Sequence, residues 1–184
     1  MALGLQLSCR KPELRIDYVQ SPATTRTKTI RRDIMNAFQL LKEDHKKVAG
    51  IFEKLEPTTE RGVKTREELF SQLKAELDVH AQIEETIFYP ALKEADETHD
   101  IILEGYEEHK VVKTLLAELD ALPKDEEEWG AKLKVLQENV EHHVEEEEGE
   151  MFTNARKVLS KDQAEELGAR MEAAKKEQAK TAKA

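Results

Sequence analysis

The sequence predicts an all-α protein: an antiparallel, up-down-up-down four-helix bundle with a flexible N-terminal arm and a short C-terminal helix. Three observations carry this. Charged residues make up 37% of the 184-residue chain, glycine and proline are few, and long stretches are rich in Ala, Glu, Lys and Leu. Apolar residues recur at alternating steps of three and four in four separate segments, the seam pattern of packed helices. The connections between these segments are short, which favours antiparallel neighbours.

Residues 1–33 are expected to be a flexible arm, or an upstream extension of the gene model with the start at Met35. They are basic: residues 1–34 hold seven Lys/Arg against three Asp/Glu. Arg and Thr are common there, as in organelle-targeting peptides, but Glu13 and Asp17 speak against that reading. The bundle occupies residues 34–158. Its first helix is expected over about 34–55, with Asp33 as N-cap and a stripe of Ile34, Phe38, Leu41, His45, Val48, Phe52 and Leu55. The second is expected over 66–95, started by a Thr65–Glu68 capping box, with Leu73, Leu77, His80, Glu84, Ile87 and Ala91 in line. Thr98 caps a third helix over 99–121, whose stripe is Ile102, Tyr106 or Gly105, His109, Val112, Leu116 and Leu119. Pro123 ends it. Asp125 with Glu128 starts a fourth helix that runs to about 158, with Leu133, Leu136, Val140, His143, Glu147 and Met151 in line. Residues 159–184 form a shorter fifth helix, capped by Ser160 and Gln163, and a tail, KKEQAKTAKA, that is expected to fray.

Composition narrows the function. The net charge of −10 argues against nucleic acid as the main partner. Cys9 is the only cysteine, which excludes an intramolecular disulfide and a Cys-based metal site. No apolar run reaches the roughly 18 residues of a membrane-spanning helix. The start, MALGLQLSC, is a poor secretory signal because no basic region precedes its short apolar run. A cytoplasmic protein is expected.

The stripes hold six residues that packing alone does not account for. Residues 80–90 read HAQIEETIFYP, and residues 142–152 read HHVEEEEGEMF. Aligning His80 with His143 brings Glu84 onto Glu147 and Tyr89 onto Phe152. Upstream, DHKKV at 44–48 resembles EHKVV at 108–112. Each half of the chain is thus a helical hairpin with one histidine on its first helix and a His-x-x-x-Glu pair on its second. Buried carboxylates without partners cost several kcal/mol in practice, on the order of what a whole domain has to spare. No lysine or arginine lies on these stripes to neutralise them. A metal does so, and it explains the spacing, since residues four apart lie on one helix face roughly 6 Å apart along the axis.

The candidate ligands are His45, His80, Glu84, His109, His143 and Glu147. Four imidazoles and two carboxylates suit iron, manganese or zinc rather than calcium or magnesium. Six donors exceed the need of one tetrahedral zinc. The repeat suggests one ion per half, with Glu84 and Glu147 shared. His99 reads as a surface residue. His142 with Glu146 forms a competing His-x-x-x-Glu pair, but the repeat and the Val140–Met151 stripe favour His143 and Glu147. Glu85, Glu145, Glu146 and Glu148 are expected to be solvated, or to orient a ligating imidazole through its free nitrogen. A ferritin-type centre is set aside, because it uses Glu-x-x-His and more glutamates.

From DHKKV through HAQIEETIFYP to HHVEEEEGEMF, residues 34–158 resemble the hemerythrin-like family, the HHE cation-binding domain. The resemblance implies a four-helix bundle around two non-heme iron ions, with the six residues above as iron ligands and Glu84 and Glu147 as bridging carboxylates. Zinc or manganese is the lesser expectation. Oxygen-carrying members have a fifth histidine one turn from the third-helix histidine. Here Gly105 and Lys113 stand at that spacing, which argues against dedicated oxygen transport. Tyr106 could approach the vacant side, though a packed core tyrosine is the preferred reading. The leading expectation is a protein that binds O2, hydrogen peroxide or nitric oxide in sensing, scavenging or oxidative-stress protection. The alternatives are catalase-like peroxide dismutation, iron storage or donation, and a zinc-stabilised structural bundle.

Overall fold

In a computed structural model, residues 35–181 are described, and all the regular elements among them are helical. Helix α1 spans Ala37–Leu55. Its cap is Asn36, whose side chain accepts from the Gln39 amide at 3.0 Å while Gln39 Oε1 accepts from the Asn36 amide at 3.1 Å. The expected cap, Asp33, lies outside the described residues. Helix α2 spans Val63–Ile83, directly after a 3-10 turn at Glu60–Gly62. Thr65 is therefore inside the helix, and the Thr65–Glu68 box does not form a cap. Helix α3 spans His99–Ala121. Thr98 takes the cap position, but its hydroxyl donates to the Leu92 carbonyl at 2.5 Å and ties down the preceding loop instead. Helix α4 spans Glu127–Glu146 and begins at Glu126 with no side-chain cap, so the Asp125–Glu128 box is also absent.

Two π-helical turns interrupt the long helices, at Glu84–Phe88 and at Glu147–Met151. A π turn carries one extra residue and rotates the helix C-terminal to it. After the first, the chain continues as a 3-10 turn, Tyr89–Ala91. The buried face moves from the expected Ile87 and Ala91 to Phe88, Tyr89 and Leu92, while Ala91 is exposed. After the second, α5 continues over Phe152–Val158, burying Phe152 and Ala155 behind Met151.

The core falls into two apolar clusters with a polar layer between them. Phe38, Leu41, Phe88, Ile102, Met151 and Phe152 belong to one cluster, and Val48, Leu77, Val112, Leu136 and Val140 belong to the other. Along α1 the first cluster precedes His45 and the second comes after it. Along α2 the order is reversed, along α3 it returns, and along α4 it reverses again. This alternation is the up-down-up-down topology expressed in side chains, and it brings all four histidine positions to one level.

Helix α6 spans Lys161–Thr181 and packs on α1 and α2. The Ser160–Gln163 box forms as expected, with Ser160 N to Gln163 Oε1 at 2.9 Å and Gln163 N to Ser160 Oγ at 3.3 Å. The helix is not short, however, and the tail from Lys175 to Thr181 is helical rather than frayed. Its Ala, Lys and Glu residues are strong helix formers, and Ala164, Leu167 and Met171 bury themselves in the first core cluster. Gly168 makes this docking possible. A Cβ there would sit 2.2 Å from the Met35 carbonyl oxygen and 2.8 Å from the Ala37 nitrogen. Gly→Ala inside a helix ordinarily stabilises by about 1 kcal/mol. Gly168→Ala is expected to do the opposite and cost roughly 1–3 kcal/mol through backbone displacement. Urea denaturation that found the variant more stable than wild type would refute this packing.

Candidate metal centre

Each of α1, α2, α3 and α4 delivers its histidine to the polar layer, and the two π turns begin at the two glutamates. Glu84 and Glu147 are 0% exposed, and His45, His80, His109 and His143 are 3–6% exposed. The structure thus brings together all six residues singled out in the sequence. Their donor atoms form two overlapping groups, each within 4.8 Å: His45, His80, Glu84 and Glu147, and Glu84, His109 and His143. The groups divide the histidines by half of the chain. Glu84 belongs to both, with Oε2 at 3.3 Å from His80 Nε2 and 3.2 Å from His109 Nε2. Glu147 Oε2 lies 3.0 Å from His45 Nε2 and 4.0 Å from His143 Nε2.

These contacts are not hydrogen bonds that satisfy the layer. Both carboxylate oxygens of Glu84 and of Glu147, together with His45 Nε2, are buried without a hydrogen-bond partner. His109 Nε2 and His143 Nε2 face each other at 3.3 Å. Buried lone pairs converging in this way are what a cation-binding site looks like from the protein side, since each needs a proton or a metal ion. The donor set, mixed imidazole and carboxylate, fits a transition metal.

The outward nitrogens of the imidazoles are each matched to a carboxylate on another helix. His45 Nδ1 meets Glu148 at 2.9 Å, His109 Nδ1 meets Glu85 at 3.0 Å, and His143 Nδ1 meets Glu108 at 2.6 Å. His80 Nδ1 faces Asp44 Oδ2 at 3.7 Å. Such partners fix the tautomer that turns Nε2 inward and raise its basicity. Glu85 and Glu148 were legible as orienting candidates. Asp44 and Glu108 were missed, and a signal existed: each directly precedes a stripe histidine, in DHKKV and EHKVV. Glu145 is exposed. His142 is also exposed, at 63%, and sits 3.4 Å from Glu146 and 4.0 Å from Glu108, outside the buried layer. His99 is on the surface, as expected.

This packing sets the protonation of the layer. Burial, with the neighbouring Glu147 charge, holds the Glu84 carboxyl well above the usual range. Burial acts the same way on Glu147, but the His45 and His80 imidazoles outweigh it and bring it to about 2. Burial lowers His45, yet the Glu147 and Glu148 carboxylates prevail and raise it. Burial and the adjacent His143 and His80 bring His109 down to about 4. Burial also lowers His80. A cation therefore competes with the proton that burial favours on Glu84 and that the carboxylate neighbours favour on His45, and meets less competition at His80 and His109. Metal uptake near neutral pH is expected to release at least one proton per chain, and affinity is expected to rise with pH as Glu84 and His45 deprotonate. A pH-indicator titration in weak buffer checks this, and uptake without proton release would contradict it.

The profile of the hemerythrin HHE cation-binding domain matches residues 36–155. The chain belongs to this family. One relative, the Mycobacterium tuberculosis (strain ATCC 25618 / H37Rv) protein named "Uncharacterized protein Rv2633c", is 34% identical over 144 residues, which is 76% of this chain and 84% of the relative. The crystal structure of an Rv2633c homolog from Mycobacterium kansasii, described as a hemerythrin HHE cation-binding domain-containing protein, aligns with a TM-score of 0.68 at 31% identity, covering 76% of this chain and 84% of that one. A Nostoc sp. (strain PCC 7120 / SAG 25.82 / UTEX 2576) protein named DNA nickase is 30% identical over 141 residues. The match takes in 77% of this chain but only 39% of that protein.

Beside His109 the packing is tight. Gly105, one turn before it, has no room for a side chain: a Cβ would meet Tyr89 Oη at 2.8 Å and Tyr89 Cζ at 3.2 Å. Tyr89 is fully buried, stacks on His109 with ring centroids 5.5 Å apart, and places its hydroxyl 3.5 Å from His109 Nε2. Burial and the surrounding carboxylates raise its pKa well above that of an ordinary phenol, so the hydroxyl stays protonated. Tyr106, the tyrosine considered from sequence, turns away. Its hydroxyl donates to the Glu85 carbonyl at 3.3 Å, and its ring packs edge-on against Tyr89. Opposite, a cavity of about 20 Å³ is lined by all four histidines and by Val48, Leu77, Ala81, Val112, Val140 and Val144. No helix among the described residues is long and apolar enough to cross a membrane.

Proposed function

We propose that this hemerythrin HHE protein holds two iron ions in its polar layer and uses them to bind small uncharged oxygen or nitrogen species: O2, hydrogen peroxide or nitric oxide. The observation that carries the reading is the pair of overlapping donor groups joined by Glu84, with its orphaned carboxylate oxygens. His45 and His80 would hold one ion with Glu147, and His109 and His143 the other, with Glu84 between them. Iron in such a setting supplies electrons to O2 or peroxide, or a coordination position for nitric oxide. The apolar walls of the adjoining cavity admit a molecule of two to four atoms and disfavour hydrated ions.

Peroxide turnover is a second reading, and Tyr89 favours it. A protonated hydroxyl 3.5 Å from His109 Nε2 is a proton donor at the edge of the site. The Nostoc relative's nickase activity is not carried over, since most of that protein lies beyond the match and an acidic chain repels a polyanion.

Metal analysis with an optical spectrum of the anaerobically reduced protein, before and after air, tests the first reading. About two irons per chain, with near-ultraviolet bands growing on oxidation, is the expected result. Zinc, or no metal after iron-replete expression, would overturn it. Sustained O2 release from peroxide that falls in Tyr89→Phe would support the second reading. Equal rates in both proteins would remove Tyr89 from it.

A further inference from the structure

Three of the four outward carboxylates are themselves held by lysines, and two of these contacts close within the bundle. Lys42 on α1 meets Glu148 at 2.6 Å, and Lys113 on α3 meets Glu85 at 2.6 Å. The third contact does not. Asp44 is bonded by Lys175, which comes from α6. The repeat of the chain pairs Asp44 with Glu108, so this is the point at which its internal symmetry breaks. The family profile ends at residue 155, before α6 begins.

Asp44 is buried, and its Oδ2 and the His80 Nδ1 it faces have no hydrogen-bond partner of their own. A buried carboxylate is stable in that place only with a counter-charge. Lys175 supplies that charge on Oδ1, leaving Oδ2 directed at His80. Its side chain is 25% exposed, so the ammonium reaches inward from a largely covered stem. Helix α6 is set for this reach by Leu167, Met171 and the close approach at Gly168.

We propose that Lys175 is a positioning residue of the metal centre: it fixes the Asp44 carboxylate, and Asp44 holds the His80 imidazole with Nε2 toward the ion. The C-terminal helix is then a latch on one of the two metal positions. The inference rests on the metal-centre reading above.

The test uses full-length protein loaded with Co2+, whose visible bands report ligand geometry without any turnover. Release to a chelator is timed for wild type, Lys175→Met, Lys175→Arg, Asp44→Asn and the Asp44→Asn/Lys175→Met double variant. Asp44→Asn removes the outer partner of a ligating histidine, which usually costs about 10–100-fold in affinity; Lys175→Met is expected to shift the bands and to release one ion faster, by up to the same factor. Lys175→Arg keeps the charge and is expected to stay close to wild type. Undocking of α6 would also speed release, and the double variant separates the two causes. If Lys175 acts through Asp44, its loss adds little in the Asp44→Asn background. A full additional effect there, or wild-type bands and release in Lys175→Met, would overturn the latch. A wild-type protein that binds no Co2+ would overturn the metal-centre reading, and this inference with it.

Discussion

Glu84→Gln is expected to abolish occupancy of both metal positions and leave the metal-free fold as stable as wild type, or more so. The substitution keeps shape and removes charge. In the metal-free protein Glu84 is a buried carboxyl with both oxygens unpartnered, pushed toward its protonated form by burial and by Glu147. An amide in that place costs no more than the acid does. With metal the balance inverts, because Glu84 is the residue common to both donor groups. Losing it should weaken both ions by well over the roughly 10–100-fold typical of an outer partner. His80→Ala and Glu147→Ala touch the first group and are expected to deplete it preferentially, while exposed His142→Ala should leave metal content near wild type. Metal content after dialysis, read beside the melting temperature with and without metal, checks all four. A ligand that binds only the folded state stabilises it by an amount set by its concentration over Kd, so Glu84→Gln should show no metal-dependent rise in Tm. A variant that kept both ions would remove Glu84 from the site.

The polar layer was legible because it violates the pattern around it. His45, His80, His109 and His143 interrupt apolar stripes at the same level, and the hairpin repeat doubles the evidence for each. Helix existence was legible from the same periodicity. Helix starts were not. The Thr65–Glu68 and Asp125–Glu128 pairs match a capping pattern that also occurs by composition within a glutamate-rich helix, and only the backbone path decides which is which. The π turns at Glu84 and Glu147 were hidden because a single inserted residue changes no composition, only the phase of the next helical turns. Asp44 and Glu108 precede stripe histidines in sequence but serve His80 and His143 on neighbouring helices, so their partners depend on packing. Lys175 carried no signal, since one lysine in KKEQAKTAKA looks like any other until α6 is laid against α1.

Gly105→His, which places a histidine where oxygen-carrying relatives are expected to have one, should fail while Tyr89 is in place. The β-carbon alone would stand 2.8 Å from Tyr89 Oη and 3.4 Å from Met151 Cε. Met151 Cε is in ordinary contact, but Tyr89 cannot retreat easily. Tyr89 is held between His109, stacked at 5.5 Å, and Tyr106, edge-on at 5.1 Å, and Phe88 lies against it at 6.3 Å. Overpacking of this kind costs roughly 1–3 kcal/mol even for a methyl-sized addition, and an imidazole adds more. The single variant is therefore expected to lose several kcal/mol, a large share of the ordinary 5–15 kcal/mol of a domain. Tyr89→Ala alone should also be costly, by about 3–5 kcal/mol, because it empties a fully buried site. Combined, the two changes exchange one ring for another in the same space, and the double variant should be more stable than the sum of the singles allows. Urea denaturation of the four proteins measures that coupling. A positive coupling would mean that Tyr89 holds the position of the absent histidine, so that the chemistry near His109 is set by a hydroxyl. Additive losses would mean that the two side chains do not compete, and the geometry beside His109 would then give no reason for Gly105.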